Sequence, residues 1–231
     1  QPRLPALPQV TEIYALENDY AGVFDTRVKT SAMALMQRHC LRSKEALAGS
    51  KKKMDKAGLH WRDLTFKHKK KVLKGFEVKR AERLQVSSQS SKNSLERCTR
   101  TTFFVKGDPT NDVKLMSDLY CEIILKTGSP PDPNSPVFVL ENGDLLTRDQ
   151  ICKAVQEVLV SLGVPKHMAG SHSLRRGGGT MYHAAGMPDE DVKRMGKWNS
   201  DAYKLYIHCG DELTKKWAKE AASKKFCFEL N

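Results

Sequence analysis

The chain has 231 residues, 39% of them hydrophobic and 29% charged, which is enough to bury one large core or two small ones in an ordinary globular protein. No apolar run approaches the roughly 20 residues that a bilayer span needs, and the opening stretch of prolines and acids lacks the basic-then-apolar order of a signal peptide. The net charge is +12 and unevenly spread: residues 38–106 hold 20 Lys and Arg against 6 Asp and Glu, an excess of 14 that leaves the remainder net −2. So concentrated a basic field attracts a polyanion, with nucleic acid the leading candidate beside membrane surfaces and acidic proteins.

In chain order, residues 1–25 contain prolines and little periodicity and read as an extended lead-in. A helix fits residues 26–38, with Val28, Ala32, Leu35 and Met36 roughly on one face, and continues toward 41–47 as a second helix after a bend. Residues 48–58 form a Gly- and Lys-rich loop, and 59–66 alternate apolar and polar residues as a half-buried strand does. An unusually basic piece, 67–74, follows. Residues 83–88 and 100–105 are strand candidates separated by a long polar turn, the second carrying Thr101, Thr102, Phe103 and Phe104.

Residues 113–126 read as helix and 128–136, with four prolines, as loop. Thr147 caps a helix through about 162, with Ile151, Val155, Val158, Leu159 and Leu162 as its apolar stripe. Ser171 caps a helix that Gly186 ends, Pro188 opens another that Gly196 ends, and Ser200 caps a third carrying Tyr203 and Tyr206. A last amphipathic helix fits 211–223. The fold class expected is α+β: mainly helical, with a small antiparallel sheet of three strands.

The six cysteines, spread as they are, lack the close pairs of a zinc site and read as reduced thiols of an intracellular protein. Chemistry concentrates near the end of the chain. His172 and Arg175, three apart on one helix, point the same way. One is a base that titrates near neutral pH and the other a permanent cation with a planar fork of donors, a pair suited to an oxyanion such as phosphate. Standing alone, His-x-x-Arg is more often a surface pair.

It does not stand alone. SHSLRRGGGTMYHAAGMPDEDVKRMGKWNSDAYKLYI, residues 171–207, resembles the C-terminal core of tyrosine recombinases of the phage-integrase family, in a form closest to those of some eukaryotic mobile elements and phages. There a His-x-x-Arg helix is followed by small residues, a Gly turn, a short helix ending in Leu/Met-Gly, a His or Trp, and the nucleophilic Tyr. Trp198 lies 23 residues beyond Arg175 and Tyr206 lies 31 beyond it. The family's earlier Leu-Arg-x-x-Glu, followed by a strand with Trp and Asp, is matched by Leu41-Arg42-Ser43-Lys44-Glu45 and by Trp61 and Asp63. The Lys-rich connection between them, 48–58, is longer than usual. The family's hairpin-turn Lys is matched best by Lys92.

The resemblance implies a catalytic set of Arg42, Lys92, His172, Arg175, Trp198 and Tyr206, with Tyr203 the competing nucleophile at a poorer spacing. It implies breakage and rejoining of double-stranded DNA through a 3′-phosphotyrosine, with no metal, nucleotide or other cofactor. Assembly as a tetramer on DNA follows from it too, in the nucleus if the source is eukaryotic and otherwise in the cytoplasm. Lys44, Arg176, Lys193, Arg194 and Lys197 are expected to touch backbone phosphates, as are residues 51–53 and 67–74 unless these serve nuclear import. The catalytic domain would occupy 26–231, without the separate DNA-clamping (core-binding) domain that usually precedes it. The alternatives are a type IB topoisomerase activity on the same active-site plan, a non-catalytic DNA-binding protein on this fold, and an RNA-binding basic protein, which no stacking motif supports.

Overall fold

The computed structural model describes residues 4–54, 58–89 and 97–198. Helices run over Pro8–Glu17 (α1), Phe24–Arg38 (α2), Ser43–Ala46 (α3), Asp112–Thr127 (α4), Arg148–Ser161 (α5), Ser171–Ala184 (α6) and Asp189–Gly196 (α7). Strands run over Leu64–His68 (β1), Lys71–Val72 (β2), Arg83–Gln89 (β3) and Arg97–Phe103 (β4). Among the described residues no helix is long and apolar enough to cross a membrane.

The apolar stripe read in residues 26–38 becomes the middle of the core. Helix α2 buries Val28, Ala32, Met33, Leu35 and Met36, and also Thr30, Ser31 and Gln37. It is covered on several sides, because α1, α4 and α6 all pack against it. The lead-in is not extended, contrary to the expectation from its prolines. Pro8 opens α1, where its fixed φ suits a helix and its missing N–H is no loss. Val10 and Tyr14 of α1 are buried, and the helix packs on α2 and α5. Ahead of it, the Leu4 N–H donates to the Met168 carbonyl and the Ala6 N–H to that of Ser173, so the segment lies along the start of α6.

The sheet has four strands, not three, in the order β2-β1-β3-β4 with every pair antiparallel. The extra strand is the two-residue β2 inside the basic piece, too short to carry any periodic signal. Strand β1 begins at Leu64, because Trp61–Asp63 winds as a 3-10 turn, so the alternation read over 59–66 covers turn and strand together. On the inner face lie Leu64, Phe66, Leu84 and Val86, with Ser88, Arg100 and Thr102 buried beside them.

Caps explain most helix ends. Asn111 accepts the Lys114 N–H at the start of α4, and Gly128 ends that helix at φ 76°. Thr147 accepts the Gln150 N–H at the start of α5. Ser171 is the first residue of α6 rather than its cap, which is Gly170.

Candidate active site

The bend between α2 and α3 sets the first part of the site. Cys40 takes a left-handed conformation, φ 48°, which turns the chain and delivers Arg42 to the start of α3. One Glu45 carboxylate oxygen accepts the Arg42 N–H at 2.8 Å, and the other lies 3.2 Å from its guanidinium. Arg42 keeps 42% of its side chain exposed while Glu45 is buried.

Helix α6 brings the second part. Gly178 lets it lie on the end of α2, since a β-carbon there would sit 2.0 Å from the Gln37 carbonyl oxygen. Arg175 is thereby buried to 1% exposure and donates to the Cys40 carbonyl at 2.6 Å. Its other terminal nitrogen donates to the Gly196 carbonyl, and Trp198 places its ring 4.7 Å from the guanidinium carbon. Gly196 makes room for that ring: a β-carbon there would fall 1.7 Å from it.

A third arginine completes the centre. Arg100, on the inner face of β4, is 4% exposed and donates to the Met195 carbonyl at 2.9 Å and to Ser88 Oγ at 2.6 Å. Its remaining nitrogen is 3.7 Å from Glu45. The charges repel one another in a poorly solvated place. Burial, then the charge of Arg42, push the Arg175 guanidinium down to about 10. Arg100 is lowered chiefly by burial, and the Lys197 amine by burial and then by Arg100. Lys197 ends α7 in a left-handed conformation, φ 51°. The carboxylate set among these cations is Glu45. Three guanidiniums around one carboxylate leave the centre with a net positive charge. Among the described residues no group of three or more His, Cys, Asp or Glu is placed to hold a metal ion.

No protein-family model matches the chain, and no curated protein matches it. Solved structures do. The XerH site-specific recombinase, bound to a palindromic difH substrate in a post-cleavage complex, is similar over 94% of this chain and 53% of its own, with TM-score 0.62 and 14% identity. The XerA recombinase is similar over 96% and 66%, with TM-score 0.56 and 12% identity. The Tn1549 transposon integrase in complex with transposon right end DNA is similar over 96% and 66%, with TM-score 0.50 and 15% identity. The chain has a tyrosine recombinase fold. It spans about half the length of the XerH structure and 66% of the other two.

Within this recombinase fold, Arg42 stands at the start of α3 beside Glu45, and Trp198 lies over the buried Arg175 guanidinium. His172 lies in the first turn of α6, exposed, one turn before Arg175. Lys92, Tyr203 and Tyr206 lie outside the described residues, as do the two helices expected after residue 199. Of the expected phosphate contacts, Lys44 and Arg194 are exposed and Lys193 and Lys197 are partly buried. Arg176 is 2% exposed, whereas a backbone-phosphate contact calls for an accessible side chain. Lys51 and Lys52 are paired with Asp144 at 3.3 and 2.6 Å. Arg100 was not expected from sequence, where it looks like one more basic residue in a basic stretch. Its one signal is an inward position in the strand alternation, two residues before Thr102.

Proposed function

We propose that this chain breaks and rejoins DNA as a site-specific recombinase or integrase, through a 3′-phosphotyrosine intermediate. The observation that carries the reading is the arginine centre: Arg42, Arg100 and Arg175 around one carboxylate, two of them almost wholly buried. A phosphodiester gains negative charge as a nucleophile adds to phosphorus, and fixed cations in a low-dielectric place stabilise that charge most. Arg42, the accessible member, meets the phosphate oxygens directly. Arg175 acts from behind, and each of its terminal nitrogens keeps a second N–H beyond the one given to a carbonyl.

Tyr206 supplies the nucleophile. Its phenol oxygen bonds to phosphorus as the bond from phosphorus to the 5′ oxygen breaks. The phenol proton passes toward His172, and Lys92 protonates the departing 5′ oxygen. Trp198 packs over Arg175 and orients it. A 5′-hydroxyl from another strand then attacks the phosphotyrosine and reverses the step, so bond energy is conserved without a cofactor. Exposed lysines over residues 67–74 position the duplex through its backbone. The partner is double-stranded DNA, and the assembly on it is a tetramer.

The test is to trap a covalent protein–DNA adduct on a nicked half-site substrate and map the attached residue. An adduct at Tyr206, lost in Tyr206→Phe and kept in Tyr203→Phe, is expected. Attachment at Tyr203, or no adduct, overturns the reading. Strand exchange between two sites, as opposed to plasmid relaxation alone, separates recombination from topoisomerase activity.

A further inference from the structure

We propose that Arg100 is a positioning residue that holds Glu45, and through it Arg42, in register with the turn carrying Trp198; its role in cleavage rests on the reading that the arginine centre meets a DNA phosphate. Burying a cation is costly, and a guanidinium at 4% exposure is tolerated only where its donors are matched. Two sides are matched, by the Met195 carbonyl at 2.9 Å and Ser88 Oγ at 2.6 Å. On the third, the remaining nitrogen is buried without a hydrogen-bond partner and faces Glu45 at 3.7 Å.

These contacts join four segments at one side chain: β4 itself, Ser88 of β3, the end of α7 and Glu45 of α3. Strands β3 and β4 lead into the connection that holds Lys92. The Met195 carbonyl, taken by Arg100, and the Gly196 carbonyl, taken by Arg175, are consecutive and belong to the end of α7, where carbonyls lack helical partners. Two arginines thus fix the turn that presents Trp198. Glu45 in turn holds both the backbone N–H and the guanidinium of Arg42. Arg100 is therefore placed to set the distance between the accessible arginine and the Trp198 turn. A lysine there would keep the charge facing Glu45, but its three N–H donors radiate from one nitrogen and cannot span partners that three separate guanidinium nitrogens meet.

Arg100→Lys and Arg100→Met in the full chain test this. At saturating protein on nicked DNA, Arg100→Lys is expected to cleave roughly 10- to 100-fold more slowly with unchanged DNA affinity, and Arg100→Met more slowly still. Combining Arg100→Lys with Glu45→Gln should slow cleavage no more than Glu45→Gln alone, since both act through one carboxylate. Backbone hydrogen exchange should quicken in Arg100→Lys at 42–45 and 195–198 together and by more than in α5, with the melting temperature lowered because the Met195 carbonyl or Ser88 is left unmatched. Faster exchange at 195–198 alone, or additive losses in the double variant, overturns the proposal by making Arg100 a local staple. If the wild-type chain forms no adduct, the functional reading fails, and the exchange pattern still decides whether Arg100 couples the two segments.

Discussion

At the arginine centre, Arg100 and Arg175 are 4% and 1% exposed and are gripped by carbonyls and a hydroxyl. Across residues 67–74, Lys69, Lys70, Lys71 and Lys74 are exposed, and Lys71 directs its charge to Glu77 at 2.8 Å. Both regions are rich in cations, yet they suit different work. A buried, planar, fully oriented guanidinium acts on charge that develops at one point and needs no reorganisation to do so. An exposed ammonium on a flexible stem acts over a distance, is screened by salt and attracts a backbone without fixing it. Counting charge in the sequence finds the lysines first. Burial shows that the fewer arginines form the organised centre.

Four variants sharpen or break this contrast. The largest effect is expected from Gly178→Ala, whose added carbon meets the Gln37 carbonyl at 2.0 Å. It should push α6 off α2 and destabilise the chain by roughly 3 kcal/mol, read as a lower urea midpoint. Next is Arg42→Ala, which should slow single-turnover cleavage by about 10²- to 10³-fold while leaving the melting temperature nearly unchanged, because Arg42 is half exposed. Comparable losses of DNA affinity and rate would instead make Arg42 a binding cation like the lysines.

Lys70→Ala with Lys74→Ala should do the reverse, weakening DNA binding while the rate at saturation holds. The slope of log affinity against log salt should fall by about 0.9 for each phosphate that the protein no longer neutralises. An unchanged slope would place the duplex elsewhere. Smallest is Lys52→Ala. Its partner Asp144 is also met by Lys51, and Lys52 is 83% exposed, so no measurable change in the urea midpoint is expected.

Much of the fold was legible because local signals and tertiary packing agree. The apolar stripe over 26–38, the Thr147 cap and the helix read over 113–126 each specify their element within a few residues. Elements whose stability comes from elsewhere were not legible. Helix α1 has prolines around it and a weak apolar stripe, and it forms against α2 and α5. Strand β2 exists only as the edge partner of β1. Among the candidate site residues, Arg42, Arg175 and Trp198 could be named because residues 41–45 and 171–207 resemble tyrosine recombinases. Arg100 could not, since only the β3–β4 register turns it inward between Ser88 and Met195.

By itself, the sequence determined the helical frame, the concentration of basic charge in residues 38–106 and the spacing that relates Arg42, Arg175 and Trp198 to known recombinases. Those are matters of period, composition and offset along one chain. The tertiary structure alone decided which cations are buried and what holds them. Arg176, expected to touch a backbone phosphate, is inside, and Arg100, which looks in sequence like one basic residue among many, faces the same carboxylate as Arg42. The physical reason is that burial and charge coupling depend on distances between segments far apart in sequence, such as β4, α3 and the end of α7. Those distances are set by packing around α2, not by any local preference.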